Sequence, residues 1–503
     1  MKPSYDVIVI GSGSGGGVAA ARLSENPELS VLLLEAGADF PDEAVRMPLF
    51  VVSGAHTWRV SGAPELDWNL VDRDLAGRRG GRPIRLPRGR VMGGTSMVNS
   101  AIAVRPSPGD MDRWARDFGC TGWDWASLLP WFRRIETDRD FRNDPLHGNA
   151  GPIVIQRWRP ESWAPVNAVF AEAATELGYA EAPDLNGMDV DAGVWGALPH
   201  NRFKEEKQGT LNTYLRAARG RSNLSLRGGA LVDRVLLENG AATGVMLAGG
   251  EVIRARGVVV AGGVYNSPAI LQRSGIGPAA LLARHGIPVV ADLPVGRCLT
   301  DHPGCAFFLR AEGVSRMTGR LFATTLRGRP GPDGAPPWHI HPFPADEEED
   351  RIGFFVFLCR QRSVGKVEIA GPDPQAAPRI DHDYLSDPAD RRAFHDAFAE
   401  MQALAATGAF AKVRARHETL PDEVDMHLDR MLASAHHQSG GCAMGPDPTT
   451  SVVSPDLAVH GVAGVWVADG SVFPDTIINN TNLTCYVIGE RAADIVGRTM
   501  GGL

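Results

Sequence analysis

Tyr5-Asp-Val-Ile-Val-Ile10 runs straight into Gly11-Ser-Gly-Ser-Gly-Gly16, and then into Gly17-Val-Ala-Ala-Ala-Arg-Leu23. The first six residues are a short β-branched run that reads as a buried parallel strand. The last seven read as a helix of small residues. Between them, only glycine allows the tight turn, the close backbone approach to a pyrophosphate and the packing of helix against strand. The helix start offers unpaired N–H groups and a partial positive charge to phosphate oxygens. A second apolar strand, Val31-Leu-Leu-Leu34, ends at Glu35. A carboxylate there, about twenty residues on, is placed to accept hydrogen bonds from an adenosine ribose. Strand, glycines, helix, strand and acid fall in the order of a dinucleotide site. That order does not separate NAD from FAD.

The rest of the chain bounds what surrounds this motif. At 503 residues it is long enough for two or more domains. Its 44% hydrophobic and 22% charged composition is that of an ordinary globular protein. A net charge of −8 argues against a nucleic-acid partner, which needs clustered Lys and Arg. The six cysteines are scattered with no CxxC, so neither a disulfide framework nor a zinc module is expected. No apolar run is long enough to span a bilayer and no secretory signal stands at the start, which makes the cytoplasm the expected location.

After Gly37 the alternation of strand and helix stops. Residues 38–85, with Pro41, Pro48 and Pro64, read as a long irregular excursion of the kind that covers a cofactor. Arg85-Leu-Pro-Arg-Gly-Arg-Val-Met-Gly-Gly-Thr95-Ser-Met-Val-Asn99 is a second glycine-rich turn. Trp114, Trp123, Trp125, Trp131 and Phe132 read as core of amphipathic helices. Strands are expected at Leu224–Leu226, Ala230–Val235 and 258–263, a single amphipathic helix at 388–412, and a last strand at Gly464–Ala468 before a closing helix at 484–498. Asp346-Glu-Glu-Glu-Asp350 reads as a solvated turn. The order suggests one dinucleotide domain assembled from separated segments, with a second domain inserted in pieces.

Along nearly its whole length the chain resembles the glucose–methanol–choline (GMC) flavoprotein oxidoreductases. The matching segments are the N-terminal fingerprint with Glu35, Gly89-Arg-Val-Met-Gly-Gly-Thr-Ser-Met-Val-Asn-Ser100, Ala261-Gly-Gly-Val-Tyr-Asn-Ser-Pro268 onward to Pro278, His437-Gln-Ser-Gly-Gly-Cys-Ala-Met-Gly445, Asp469-Gly-Ser-Val-Phe-Pro474 and Asn480-Thr-Asn-Leu-Thr484. The resemblance implies an α/β fold: a Rossmann-type FAD-binding domain from 1–105, 215–303 and 436–503, and a sheet-and-helix (α+β) substrate domain from 106–214 and 304–435. It implies FAD rather than NAD. His437 maps onto the family's catalytic base and Asn480 onto its second active-site position. The implied cofactor contacts are Gly11, Gly13, Ser14, Gly16, Glu35 and Ala36 in the fingerprint, and Arg90, Gly93, Gly94, Thr95 and Asn99 in the first signature. Val232 and Ala261 follow, then Asp469, Gly470, Asn482 and Thr484. Some members attach FAD through a His just before the signature Asn; this chain has Val98 there, so non-covalent FAD is expected. Ala443 replaces the family's usual Arg, and Cys298 its frequent Asn.

The chemistry of the residues agrees. Alcohol oxidation removes a hydroxyl proton and a hydride from one carbinol, and flavin N5 takes the hydride. An imidazole of pKa about 6.5 suits the proton. An amide NH₂ suits the developing alkoxide oxygen. His437 is therefore expected as base and Asn480 as orienting donor. His436, its neighbour, is expected to point away if both lie on a strand. His339 and His341 have the spacing of one strand face, without an apparent third metal ligand. His147 reads as part of a structural turn. Region 106–160 looks like that of bacterial members oxidising aryl or furfuryl primary alcohols. O₂ or a separate carrier accepts the electrons. Other readings are a dehydrogenase of an amino-sugar or peptide-linked alcohol, and a same-fold lyase without net redox.

Overall fold

Strand Tyr5–Ile10 lies inside a seven-stranded sheet, between Val31–Leu34 and Val252–Val260, parallel to both. This computed structural model describes residues 5–41, 65–73, 82–188, 190–331, 334 and 336–501. Leu224–Arg227 extends the sheet beyond Val31–Leu34. On the other side, the nine-residue strand Val252–Val260 serves two neighbours: its first half pairs antiparallel with Ala241–Leu247, its last three residues parallel with Val465–Val467. Five parallel strands therefore end at one edge, and four of them run into segments the sequence singled out: Gly11, Glu35, Ala261 and Asp469. Open α/β sheets bind ligands at that edge. Helices Gly16–Leu23 and Asn482–Gly501 pack against each other beside this sheet.

A second, eight-stranded sheet is mostly antiparallel, in the order Arg416–His417, Pro303–Arg310, Arg351–Leu358, Trp338–Asp346, Thr324–Arg327, Val194–Ala197, Ala180–Ala182. Ala433–Ser434 also pairs with Pro303–Arg310. Side chains alternate across such strands, and here both faces are used. Phe354, Val356 and Ile340 join Phe170, Phe394 and Phe398 in a core with helices Pro165–Glu176 and Pro388–Ala405. The alternate residues Phe355, Phe357, His341 and Phe343 face the opposite way and line a cavity.

Several expectations need correction. The 38–85 excursion contains strands Leu70–Asp72 and Ile84–Leu86, which pair with each other and, through Arg379–Asp381, form a small sheet. Pro48 and Pro64, and most of that excursion, lie outside the described residues. The single helix at 388–412 is two, Pro388–Ala405 and Gly408–Lys412. Thr407 is extended between them, and Glu176, from another helix, accepts hydrogen bonds from Gly408 N and Ala409 N at 2.7 and 3.0 Å. A tertiary carboxylate thus restarts the helix by satisfying its free N–H groups. Trp114, Trp123 and Phe132 are fully buried. All six cysteines are free, with Cys298 exposed rather than in a core. Among the described residues no helix is long and apolar enough to cross a membrane.

Candidate active site

A cavity of about 900 Å³ opens along the carboxyl ends of the parallel strands and reaches the inward face of the second sheet. Its sheet end is built by glycine. A Cβ on Gly11 would stand 2.2 Å from the Ala261 carbonyl oxygen, and one on Gly16 2.0 Å from the Gly11 carbonyl oxygen. At Gly13 a Cβ would meet nothing within 4 Å, because that position faces the open cavity. Glu35 accepts hydrogen bonds from Ser12 N, Ser12 Oγ and Gly37 N at 3.1, 2.6 and 2.9 Å. Burial raises the Glu35 pKa, and these hydrogen bonds, with one from the Ala36 backbone N–H, oppose it. Asp469 binds the loops together, accepting from Gly263 N at 2.8 Å, Ser267 Oγ at 2.5 Å and Ser471 N at 2.8 Å. Ser14 Oγ donates to Asn482 Oδ1 at 2.7 Å, which leaves the buried Asn482 Nδ2 without a protein partner.

These features fit an elongated phosphate-containing cofactor: an open glycine cradle, a carboxylate at the cavity wall and an amide NH₂ lacking an acceptor. Ala36, Arg90, Gly94, Thr95, Asn99, Val98, Val232, Ala261, Gly470 and Asn482 also line the cavity. Three of the residues singled out from sequence stand behind its wall instead. Gly16 packs the helix onto the glycine loop. Gly93 takes φ +91 and donates from its N–H to Ser12 Oγ at 2.8 Å. Thr484 is fully buried in the C-terminal helix. Lys207, which sequence reasoning passed over, is buried and donates to the Met97 and Asn99 carbonyls, bracing the loop that carries Asn99.

At the far end stand His437 and Asn480, with Asn480 Nδ2 2.7 Å from His437 Nε2. Two adjacent residues hold the histidine. Asp301 Oδ1 accepts from the His437 backbone N–H at 2.9 Å, while its Oδ2 accepts from Tyr384 Oη and Ser434 Oγ, both at 2.5 Å, and Gln438 Nε2 at 3.1 Å. His302 Nδ1 lies 2.9 Å from His437 Nδ1.

The partners assign the protons. His302 Nε2 faces the Ile477 carbonyl at 2.7 Å, and a carbonyl only accepts, so that nitrogen carries the hydrogen. Burial, the largest influence, holds His302 down to about 4, so it is neutral and its Nδ1 is a lone pair. His437 Nδ1 must then carry the hydrogen of the bond between them. The His437 Nε2 lone pair is left facing Asn480 and the cavity. Burial, then the neighbouring His302 and His436, also keeps His437 well below the usual imidazole range, so the ring is uncharged. Sequence reasoning missed His302 and Asp301: the dipeptide has no periodicity or motif spacing to mark it, and its partner is 135 residues away.

His436 departs from expectation. It has φ +65, outside the extended strand conformation, so the alternation of neighbouring side chains does not apply and both histidines line the cavity. Its side chain is exposed and lines the cavity. His339 and His341 do share a strand face, with ring centroids 6.5 Å apart; His341 reaches the cavity and His339 is buried beside it.

Family models described as GMC oxidoreductase match residues 5–304 and 361–489. A 5-(hydroxymethyl)furfural oxidase of Methylovorus sp. (strain MP688) is 34% identical, covering 98% of each chain. An oxygen-dependent choline dehydrogenase of Cronobacter sakazakii (strain ATCC BAA-894) is 33% identical over 98% of this chain and 95% of its own. Among solved structures, pyridoxine 4-oxidase from Mesorbium loti superposes with a TM-score of 0.88 at 27% identity, covering 98% of this chain and 99% of that one.

Proposed function

The chain belongs to the GMC oxidoreductase family, and from that premise we propose that it oxidises a primary alcohol to the aldehyde, with His437 as the base and Asn480 as the orienting donor. GMC oxidoreductases are FAD-dependent enzymes acting on alcohol-type substrates. FAD, when bound, supplies the hydride acceptor at its flavin N5.

The observation that carries the reading is the His437 Nε2 lone pair, directed at the cavity by a hydrogen-bond chain that ends on the Ile477 carbonyl. A substrate hydroxyl that displaces Asn480 Nδ2 from Nε2 donates its hydrogen to Nε2 and accepts from the freed Asn480 Nδ2. As the hydroxyl proton moves to Nε2, the Asn480 N–H stabilises the charge growing on oxygen. His302 keeps its lone pair on His437 Nδ1–H, so the new imidazolium is hydrogen-bonded at both nitrogens.

We assign the region of the parallel sheet to the FAD domain, and that of the eight-stranded sheet to the substrate domain, with the cavity between them. The residues that would hold FAD are the fingerprint glycines, Ser14 and Glu35 at the adenosine and phosphate end. Arg90, Thr95, Asn99, Asp469 and Asn482 follow toward the flavin. Val98, which has no group able to bond to a flavin, supports non-covalent attachment. An aromatic primary alcohol is the substrate class favoured by the wall of Phe322, Phe343, Phe355 and Phe357.

The test is the visible flavin band of the holoenzyme on adding aromatic primary alcohols without oxygen. Bleaching is expected, and His437→Ala is expected to slow it about 10²–10⁴-fold, the usual worth of general-base assistance. A band that persists across such alcohols, or a variant bleaching at the wild-type rate, overturns the reading. The speed of recolouring in air distinguishes an oxidase from an enzyme using another acceptor.

A further inference from the structure

Lys207 is fully buried, and among the described residues no carboxylate pairs with it. Lysine is rarely buried without such a partner, because its amine must give up water. An apolar side chain of the same length would fill the space at less expense. What Nζ meets instead is two carbonyl oxygens of one short loop, that of Met97 at 3.0 Å and that of Asn99. Met97 closes the 3₁₀ turn Gly94–Met97, so no continuing helix is there to supply N–H groups to these carbonyls. Their donor comes from 110 residues further along the chain.

The same loop departs from relaxed backbone. Ala101, buried, takes φ +59, and left-handed backbone is unfavourable for alanine where glycine adopts it freely. Its N–H donates to Asn99 Oδ1 at 3.0 Å, and its carbonyl accepts from Asn201 N at 2.8 Å. Asn201 and Lys207 stand at the base of one hairpin, Arg202–Phe203 against Glu206–Lys207. That hairpin therefore grips three alternate carbonyls, of residues 97, 99 and 101. Between them, Val98, Asn99 and Ser100 line the cavity. A backbone N–H only donates, so Asn99 Oδ1 is the atom it occupies and Nδ2 is the one left for a ligand.

We propose that Lys207 is a positioning residue for FAD: through the Met97 and Asn99 carbonyls it keeps the loop 97–101 in the strained shape in which Asn99 can hold the cofactor. The proposal rests on the reading of Asn99 as an FAD contact. Without the amine, two carbonyls lose their donor, and the loop relaxes by turning Ala101 out of the left-handed region. Binding must then restore the strained shape, and affinity falls in proportion to how seldom that shape is populated.

The test is FAD release on dilution of the holoenzyme, read from the fluorescence of free flavin. Lys207→Met, similar in length and without a donor, is expected to weaken FAD binding about 10–100-fold. Ala101→Gly in that background should recover about fivefold, since glycine takes the left-handed shape freely. In an otherwise wild-type chain the same change should alter affinity less than about threefold, because Lys207 already holds the loop. A lysine that only stabilises the fold would give no such rescue. The proposal is overturned if Lys207→Met binds FAD as wild type does, or if Ala101→Gly recovers none of the loss. Should Lys207→Met fail to fold, Ala101→Gly alone decides: with Lys207 in place, a loss of more than about threefold shows that something else holds the loop. Asn99→Ala tests the underlying reading, since wild-type affinity there would remove Asn99 from the FAD contacts and the proposal with it. No alcohol is present, so failure of alcohols to bleach the flavin is a separate outcome.

Discussion

At His147 both ring nitrogens face carboxylates, Glu136 and Asp184, each at 2.9 Å; at His437 one faces a second imidazole and the other an amide. Both histidines are buried. Burial by itself lowers His147, but the hydrogen bonds to Asp184 and Glu136 reverse this and raise it to about 9. It is therefore a cation in a closed cluster, in which Arg105 pairs with Glu136, and Arg157 with Asp138 and Asp184. Three carboxylates balance two guanidiniums and an imidazolium. Glu136, Asp138 and His147 lie close enough together to hold a metal ion; Glu136 Oε1, Asp138 and His147 are engaged with these arginines and with each other, while the buried Glu136 Oε2 has no hydrogen-bond partner among the described residues. At His437 the nearby carboxylate, Asp301, spends its oxygens on the His437 backbone N–H, two hydroxyls and an amide, so it fixes position without charging the ring. Whether a buried histidine serves as a strut or as a base thus depends on which atom the nearest carboxylate reaches.

The largest effect should come from removing the strut. His147→Leu leaves Glu136 and Asp184 short of one positive charge, and a loss of about 3–5 kcal/mol in unfolding free energy is expected, read from the denaturant midpoint. Flavin reduction per folded holoenzyme should not change, since His147 is not among the residues lining the cavity. An unshifted midpoint would mean that the two arginines alone balance the cluster.

A smaller effect is expected at the support of the base. His302→Leu removes the acceptor that holds the hydrogen on His437 Nδ1. Loss of a partner that orients a reacting group typically costs about 10–100-fold, and flavin reduction should slow by that much, with a changed pH profile. His302→Asn, whose side-chain oxygen accepts from the same N–H, should recover part of the rate. A leucine variant with the wild-type rate and pH profile would show that the tautomer is held some other way.

The smallest effect is a pH dependence with two limbs. His147 is raised to about 9, so its stabilisation is fully present below about 6.5 and is lost as pH rises through about 9. His302 is lowered to about 4, so on acidification below about 6.5 the unfolded chain takes up its proton while the folded one does not, and stability falls. Thermal midpoints from pH 4 to 10 should therefore peak near neutrality. His147→Leu should flatten the alkaline limb and leave the acid limb in place.

Much of the nucleotide end was legible in the sequence because its elements are local. Strand, glycine turn and helix follow one another from Tyr5 to Leu23, and backbone sterics alone set their geometry. His437 and Asn480 were legible too, as residues of chemically suitable type within matching motifs. The orientation of His437 was not. It depends on His302, on Asp301 and on a carbonyl at Ile477, brought together from three segments. His436 was misplaced because alternation assumes extended backbone, and Ser434 and Arg88 hold it elsewhere in φ. The break at Thr407 was invisible for a similar reason: the cap that restarts the helix is Glu176, more than two hundred residues earlier in the chain.

The sequence by itself determined which strand, glycine turn and helix build the cradle at the edge of the parallel sheet, and which residues have the chemistry of base and donor. These follow from short spacings and from functional-group pKa values. The tertiary structure decided which nitrogen of His437 holds the lone pair, which histidines stay neutral and which side chains line the far end of the cavity. Those properties arise from desolvation and from hydrogen bonds between distant segments, and neither exists until the two sheets close over the cavity.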